Sequence, residues 1–110
     1  MMETKQQKFW KSNFGKQYTK RNIFNPGQLD KSYLAAYGMS RSRMSQEFLG
    51  GLKINNVLEI GCNVGNQLRS LQKQGYKDLF GIEIQADSVE QAKKLTDRIK
   101  VLSPRLRARG

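Results

Sequence analysis

Apolar residues recur along this chain in two rhythms, short aliphatic runs and four-residue helical spacings, and their order predicts a β-α-β-α unit behind an N-terminal helical arm. Val57, Leu58 and Ile60 mark a first strand over residues 57–60. Leu68 and Leu71 face inward on a helix over residues 67–74 that Gly75 stops, and residues 79–84 form a second strand. Val89, Ala92, Leu95 and Ile99 line one side of the next helix, whose start carries Ser88 and Gln91 at capping-box spacing. Residues 100–103 begin a third strand before Pro104 removes a donor. Upstream, Ser40 is the expected N-cap of a helix on which Met44, Phe48 and Leu52 form a core-facing stripe, ended by Gly50-Gly51. Asn25-Pro26-Gly27 reads as a turn, and a short helix over residues 30–37 stops at Gly38. Residues 5–25 mix Phe9, Trp10, Phe14 and Tyr18 with basic residues near one helical face, interrupted by Gly15.

The expected class is therefore α/β, a Rossmann-like partial domain of parallel strands, β-α-β-α(-β), preceded by N-terminal helices. Three segments follow: an aromatic and basic arm over residues 1–39, the Rossmann-like half-domain over 40–104, and a basic tail over 105–110. A chain of 110 residues is long enough for one small domain and too short for a full doubly wound domain with a separate substrate region. No apolar run reaches the length of a membrane span and residues 1–11 are polar, which predicts a cytoplasmic protein without a membrane partner. The single cysteine, Cys62, has no partner for an internal disulfide, and the absence of histidine excludes a Cys/His metal site.

Twenty Lys and Arg against nine Asp and Glu give a formal charge of +11, concentrated in residues 5–21 and at Arg105, Arg107 and Arg109. Such an excess raises encounter rates with anionic partners, or is simply solvated charge.

The candidate chemistry lies in Val57-Leu58-Glu59-Ile60-Gly61-Cys62-Asn63-Val64-Gly65-Asn66, a strand that runs through an acidic residue into a glycine-punctuated turn. Gly61 permits positive φ and close approach of a ligand, and Gly65 lets the next helix start tight against the strand. Leu79-Phe80-Gly81-Ile82-Glu83-Ile84 is a second buried strand, with Glu83 placed 22 positions after Gly61. A β-α-β unit of that spacing sets a carboxylate beside the ribose hydroxyls of a ligand held at the first turn. Taken alone, Glu83 reads equally as a solvated strand-end acid.

The two runs resemble motifs I and II of class I S-adenosylmethionine-dependent methyltransferases. Phe9-Trp10, Phe14-Gly15, Tyr18 and Arg21-Asn22 are similar to the opening of methylases associated with pseudaminic acid and related surface-sugar biosynthesis. Asn63 stands where the wider family usually has a glycine, and asparagine is the next-best residue for positive φ. A nicotinamide site would want glycine at both Asn63 and Asn66 and would give Glu59 no task. The resemblance implies that Gly61, Cys62 and Asn63 pass their backbone along the methionine part of the cofactor, Gly65 opening the helix behind them. Glu59 would lie beneath, ordering the turn and the ammonium side of the ligand. By the same resemblance Glu83 takes the ribose hydroxyls and Ile84 packs on adenine. Tyr18 and Arg21 close over the cofactor, Arg21 toward its carboxylate, or are a surface aromatic and a solvated arginine. No catalytic residue is implied; without histidine a general base would be Asp, Glu, Lys or Tyr.

The family's complete sheet runs in the order 3-2-1-4-5-7-6, so the resemblance covers only its first half. Strand one would then be bare on one side, which predicts pairing with a second copy or a separate chain, or cover from Phe9, Trp10 and Phe14 of the arm. Three functions stay open. They are an oligomeric methyltransferase for a small-molecule or sugar-type acceptor, a non-catalytic unit that binds S-adenosylmethionine or S-adenosylhomocysteine, and a nucleic-acid-binding protein that uses its aromatic, cationic arm.

Overall fold

The chain opens with two short helices, α1 (Lys5–Lys11) and α2 (Asn13–Arg21), in a computed structural model that describes residues 3–104, the side chain of Thr19 excepted. The expected basic tail, with Arg105, Arg107 and Arg109, lies outside the described residues. Thr4 starts α1 through a capping box: its hydroxyl accepts from the Gln7 amide at 3.0 Å and the Gln7 side chain accepts from the Thr4 amide at 2.8 Å. The helical break falls at Ser12, not at Gly15 as the sequence suggests. Gly15 lies inside α2, buried against the end of α1, where a Cβ would come within 1.8 Å of the Trp10 carbonyl oxygen. The glycine is thus a close-contact residue that lets α2 fold back on α1.

Helix α3 (Pro26–Tyr37) begins earlier than residue 30. Asn25 and Gln28 exchange capping hydrogen bonds, and Pro26 occupies the first turn, where its missing N–H would have had no partner. Gly38, at φ +74°, ends the helix in the left-handed region as expected. Ser40 caps α4 (Arg41–Leu49), accepting from the Arg43 amide at 3.1 Å. The stripe read as core is mostly surface: Phe48 and Leu52 are 74% and 61% exposed, and Ser45 and Leu49 turn inward instead. The α3–α4 corner sets that rotation, because the Asp30 carboxylate accepts from both the amide and the hydroxyl of Ser42, at 2.8 and 2.7 Å.

The α/β unit follows in the expected order: β1 (Asn56–Ile60), α5 (Asn66–Lys73), β2 (Asp78–Ile82), α6 (Ala86–Leu95) and β3 (Lys100–Leu102). The sheet is parallel in the order β1-β2-β3, with Leu58 opposite Phe80 and Phe80 opposite Lys100. Both helices cover one face. Leu68 and Leu71 of α5 and Val89 and Ala92 of α6 form a single core with Leu79, Val101, Cys62 and Ile99. Ile99 joins that core from the loop after α6, not from the helix itself. The Ser88–Gln91 capping box does not form. Helix α6 starts at Ala86 after Gln85, so Ser88 falls within the first turn and is buried. Among the described residues no helix is long and apolar enough to cross a membrane.

Candidate ligand cleft at the carboxyl ends of the strands

The chain leaves β1 through three left-handed residues, Gly61 at φ +75°, Asn63 at +53° and Gly65 at +85°. Apart from Gly61 itself and its two chain neighbours, no described heavy atom stands within 4 Å of a Cβ built there, so it is the backbone angle, not space, that favours glycine. Asn63 supplies the positive φ expected of it. The turn is tied to the end of β2: the amides of Gly61 and Cys62 both donate to the Ile82 carbonyl, at 2.7 and 3.1 Å.

Glu83 completes the junction. One carboxylate oxygen accepts from the Asn63 amide at 2.9 Å and the other from the Gln85 amide at 2.8 Å, in a group only 5% exposed. The acidic residue that sequence spacing places beside the turn thus braces it against the start of α6. The Gly65 amide donates to the Cys62 carbonyl at 2.9 Å. Four amides of the turn region are therefore satisfied within the protein. What Glu83 keeps for a ligand is the second lone pair of each oxygen.

Glu59 lies on the same face of β1 as Val57, and its Oε1 is buried without a hydrogen-bond partner among the described residues. Burial raises its pKa above 4.5, the Arg41 guanidinium opposes that rise, and the neighbouring Glu83 adds to it. Arg41, at the start of α4, is held by Gln67 at 3.2 Å and lies 5.5 Å from the centre of the Tyr33 ring. Cys62 is buried among these carboxylates. Burial first, then Glu59 and Glu83, push its thiol up to about 12 against a backbone hydrogen bond that lowers it, so the sulfur stays protonated and unreactive at neutral pH. Its Sγ fills the space where a side chain at Gly81 would stand, 2.5 Å from the Cβ position.

A cleft of about 340 Å³ opens above this junction. Gly61, Glu83 and Ile84 line it, with Ile60, Ile82 and Gln85 around them. The opposite wall is Gln7 and Trp10, both from α1. The arm is anchored there through its linker: Asn66 accepts from the Phe24 amide at 3.2 Å and donates to the Asn22 carbonyl, and Arg69 donates to the Phe24 carbonyl at 3.3 Å. Of the nine residues nominated from sequence, Glu59, Gly61, Cys62, Asn63, Gly65, Glu83 and Ile84 come together at one junction. Tyr18 does not line the cleft and instead meets Trp10 edge-on at 5.5 Å. Arg21 is exposed at the end of α2, also away from the cleft lining.

Sequence reasoning missed Gln7, Trp10 and Gln85 as lining residues. The hydrophobic pattern marked Trp10 as part of the arm, but nothing in the chain's spacing places α1 over the sheet.

The lining has a definite chemical character. Ile60, Ile82, Ile84 and Trp10 are apolar walls. Gln85 is buried with its Oε1 unpartnered, so together with Glu59 Oε1 it is a second acceptor without a donor among the described residues. Among the described residues no cationic side chain lines the cleft, and Lys11 and Lys16 stand in an adjoining depression that shares Ile84 and Gln85 with it. Among the described residues a pyrophosphate in this cleft would find no cationic side chain in the lining. A ligand with amine and hydroxyl donors around a flat apolar ring meets both the walls and the Glu83 and Gln85 oxygens, while Glu59 lies behind the turn, outside the lining. Comparison with protein-family models, with curated proteins and with solved structures finds no match in any of the three.

Proposed function

We propose that the cleft binds S-adenosylmethionine and that the chain is a methyltransferase-type cofactor unit serving a small-molecule or sugar-type acceptor. The observation that carries the assignment is the junction itself, where Glu83 braces a glycine turn near a buried Glu59 whose Oε1 has no partner among the described residues, under a cleft whose described lining holds no cation. The charge character favours this nucleoside over a dinucleotide, because S-adenosylmethionine bears an ammonium and a sulfonium and no phosphate. Glu83 would accept from the ribose hydroxyls with its remaining lone pairs, Ile84 and Trp10 would flank adenine, and Glu59, outside the lining, would order the turn from beneath on the ammonium side. When bound, the cofactor supplies an electrophilic methyl group, and the chain's part is to hold it in place and away from water.

A specific observation supports the non-catalytic binding unit as the second reading. Glu83 is the only titratable group lining the cleft among the described residues, and both its oxygens already accept backbone amides. No general base is therefore in view of a methyl acceptor, and transfer would rely on an acceptor that is already nucleophilic. The nucleic-acid reading is less well supported, because Phe9, Trp10, Phe14 and Tyr18 stack on one another.

Titration calorimetry with S-adenosylmethionine tests the assignment. The wild type should give saturable heat, and Glu83→Ala should weaken it by at least about tenfold, the scale of a lost hydrogen bond to a charged group. Absence of heat from the wild type, or equal affinity in the variant, would overturn the proposal. Formation of S-adenosylhomocysteine with candidate sugars, read by mass spectrometry, separates the enzyme from the binding unit.

A further inference from the structure

Gln85 stands at the N-cap of α6 and does not cap it. A helix start favours a short side chain that accepts a backbone amide, and Ser, Thr, Asp and Asn serve best there. Gln85 has the extended conformation of a cap, at φ −82° and ψ 114°, yet its side chain accepts no capping hydrogen bond. The residue is only 6% exposed, and its Oε1 is buried with no partner among the described residues. An acceptor shut off from water without a donor is destabilising. A ligand that brings the donor removes that cost.

Among the described residues three polar side chains line the cleft, Gln7, Glu83 and Gln85, and two are already committed. Gln7 Oε1 accepts from the Thr4 amide at 2.8 Å, within the capping box of α1. Each Glu83 oxygen accepts a backbone amide, one of them that of Gln85 itself at 2.8 Å. Gln85 therefore brings the one side-chain oxygen of the lining that no described donor occupies. It also borders two depressions that hold Lys16 and Asp87, a pair 3.5 Å apart, but of the three spaces only the cleft includes Glu83 and Trp10.

The order Glu83-Ile84-Gln85 follows the parts of an adenosine. With Glu83 on the ribose hydroxyls, the base leaves from a neighbouring ribose carbon, lies between Ile84 and Trp10, and turns its rim toward Gln85. A carboxamide carries a donor and an acceptor side by side, the complement of the amine and ring nitrogen that adenine presents along one edge. Because Oε1 holds no bond among the described residues, turning it to that amine gives none up.

We infer that Gln85 reads the amine edge of the base and makes the cleft selective for adenine, an inference that rests on S-adenosylmethionine as the cleft's ligand. The exocyclic amine donates to Oε1, and the carboxamide N–H donates to the adjoining ring nitrogen. A purine without the amine buries the same flat surface and leaves Oε1 without a donor. Discrimination then comes from the unpaired group left behind, which penalises the wrong ligand more than lost surface contact does.

Calorimetry with two ligands tests the assignment: S-adenosylhomocysteine, and the same molecule with unsubstituted purine in place of adenine. The wild type should bind the adenine ligand at least about tenfold more tightly. In Gln85→Ser the ratio should fall to within about twofold, since serine is too short to reach the base. Serine at the N-cap should instead accept an α6 amide, so this variant should melt no lower than wild type. Gln85→Leu, which keeps the bulk and removes the carboxamide, should lose the preference equally and serves if Gln85→Ser does not fold. A purely structural Gln85 would weaken both ligands alike and leave their ratio unchanged. Equal binding of the two ligands by the wild type, or a preference preserved in a folded Gln85→Ser or Gln85→Leu variant, would overturn the role of Gln85 and leave the cofactor assignment standing. Absence of heat from both S-adenosylhomocysteine and S-adenosylmethionine would overturn the cofactor assignment itself, and adenine selectivity with it.

Discussion

Glu59 is under electrostatic tension from its burial, which the Arg41 guanidinium partly offsets and the neighbouring Glu83 increases. Its folded-state pKa lies above 4.5, so the folded protein binds the proton more readily than the unfolded chain does. The stability tied to this group is fully present below pH 4.5 and is lost as pH rises through the folded value. Glu59→Gln should therefore raise stability at neutral pH, with a gain over wild type that shrinks to nothing below pH 4.5, as read from urea unfolding at both ends of that window. On the proposed assignment the same substitution should weaken S-adenosylmethionine binding, because the negative charge beneath the turn on the ammonium side is lost. A variant that is more stable yet binds less well separates an acid that serves the ligand from a structural one. Gly81 gives a second test at this scale. A Cβ there would stand 2.5 Å from Cys62 Sγ and 2.9 Å from Leu68 Cδ1, so Gly81→Ala should cost about 1–3 kcal/mol. Adding Cys62→Ala should recover part of that in thermal melts. The sequence showed that Glu83 would stand beside the turn, because strand spacing fixes position. It could not show that the carboxylate accepts the Asn63 and Gln85 amides, because that depends on how closely two chain segments approach.

Strands and their connecting helices were legible as elements because aliphatic runs and glycine stops are local signals, and β1, α5, β2 and β3 fall within a few residues of expectation. The N-terminal helices were less so, since their boundaries depend on contacts. Pro26 and Gly27 look like a turn but open α3, and the Phe48 face of α4 looks like core but is turned outward by the Asp30–Ser42 hydrogen bonds. Gly15 is the sharpest case, because a glycine read as a helix breaker is the contact that packs two helices together. Gly15→Ala would drive a methyl group into the Trp10 carbonyl, so α1 should lift from α2 and from the cleft. Trp10 is the only tryptophan, which makes its fluorescence a direct reporter. The variant should emit further to the red and bind S-adenosylmethionine less tightly, while far-ultraviolet circular dichroism shows the rest of the fold retained. Unchanged emission would mean that α1 does not depend on this contact for its position.

At the scale of the whole molecule, the basic side chains of α1 and α2 and the cleft lining are distinct, and their separation allows a decisive comparison. The basic residues of α1 and α2 are solvent-facing, and those paired with acids sit in exposed contacts such as Lys16 with Asp87 at 3.5 Å. Among the described residues the cleft has no cationic side chain in its lining. Binding of an anionic polymer to the arm releases counterions and must weaken steeply with salt, whereas a ligand held by Glu83, Gln85 and apolar walls has no such dependence. Raising salt from about 50 to about 500 mM should therefore abolish binding of a mixed-sequence oligonucleotide and leave S-adenosylmethionine affinity within about twofold. At low salt, saturating oligonucleotide should leave the cofactor heat unchanged. Competition between the two would place the nucleic acid across α1 and over Trp10, and the arm would then be an interface in its own right. Independence would assign the charge to the arm as non-specific attraction, and the junction of Glu59, the glycine turn and Glu83 to the cofactor.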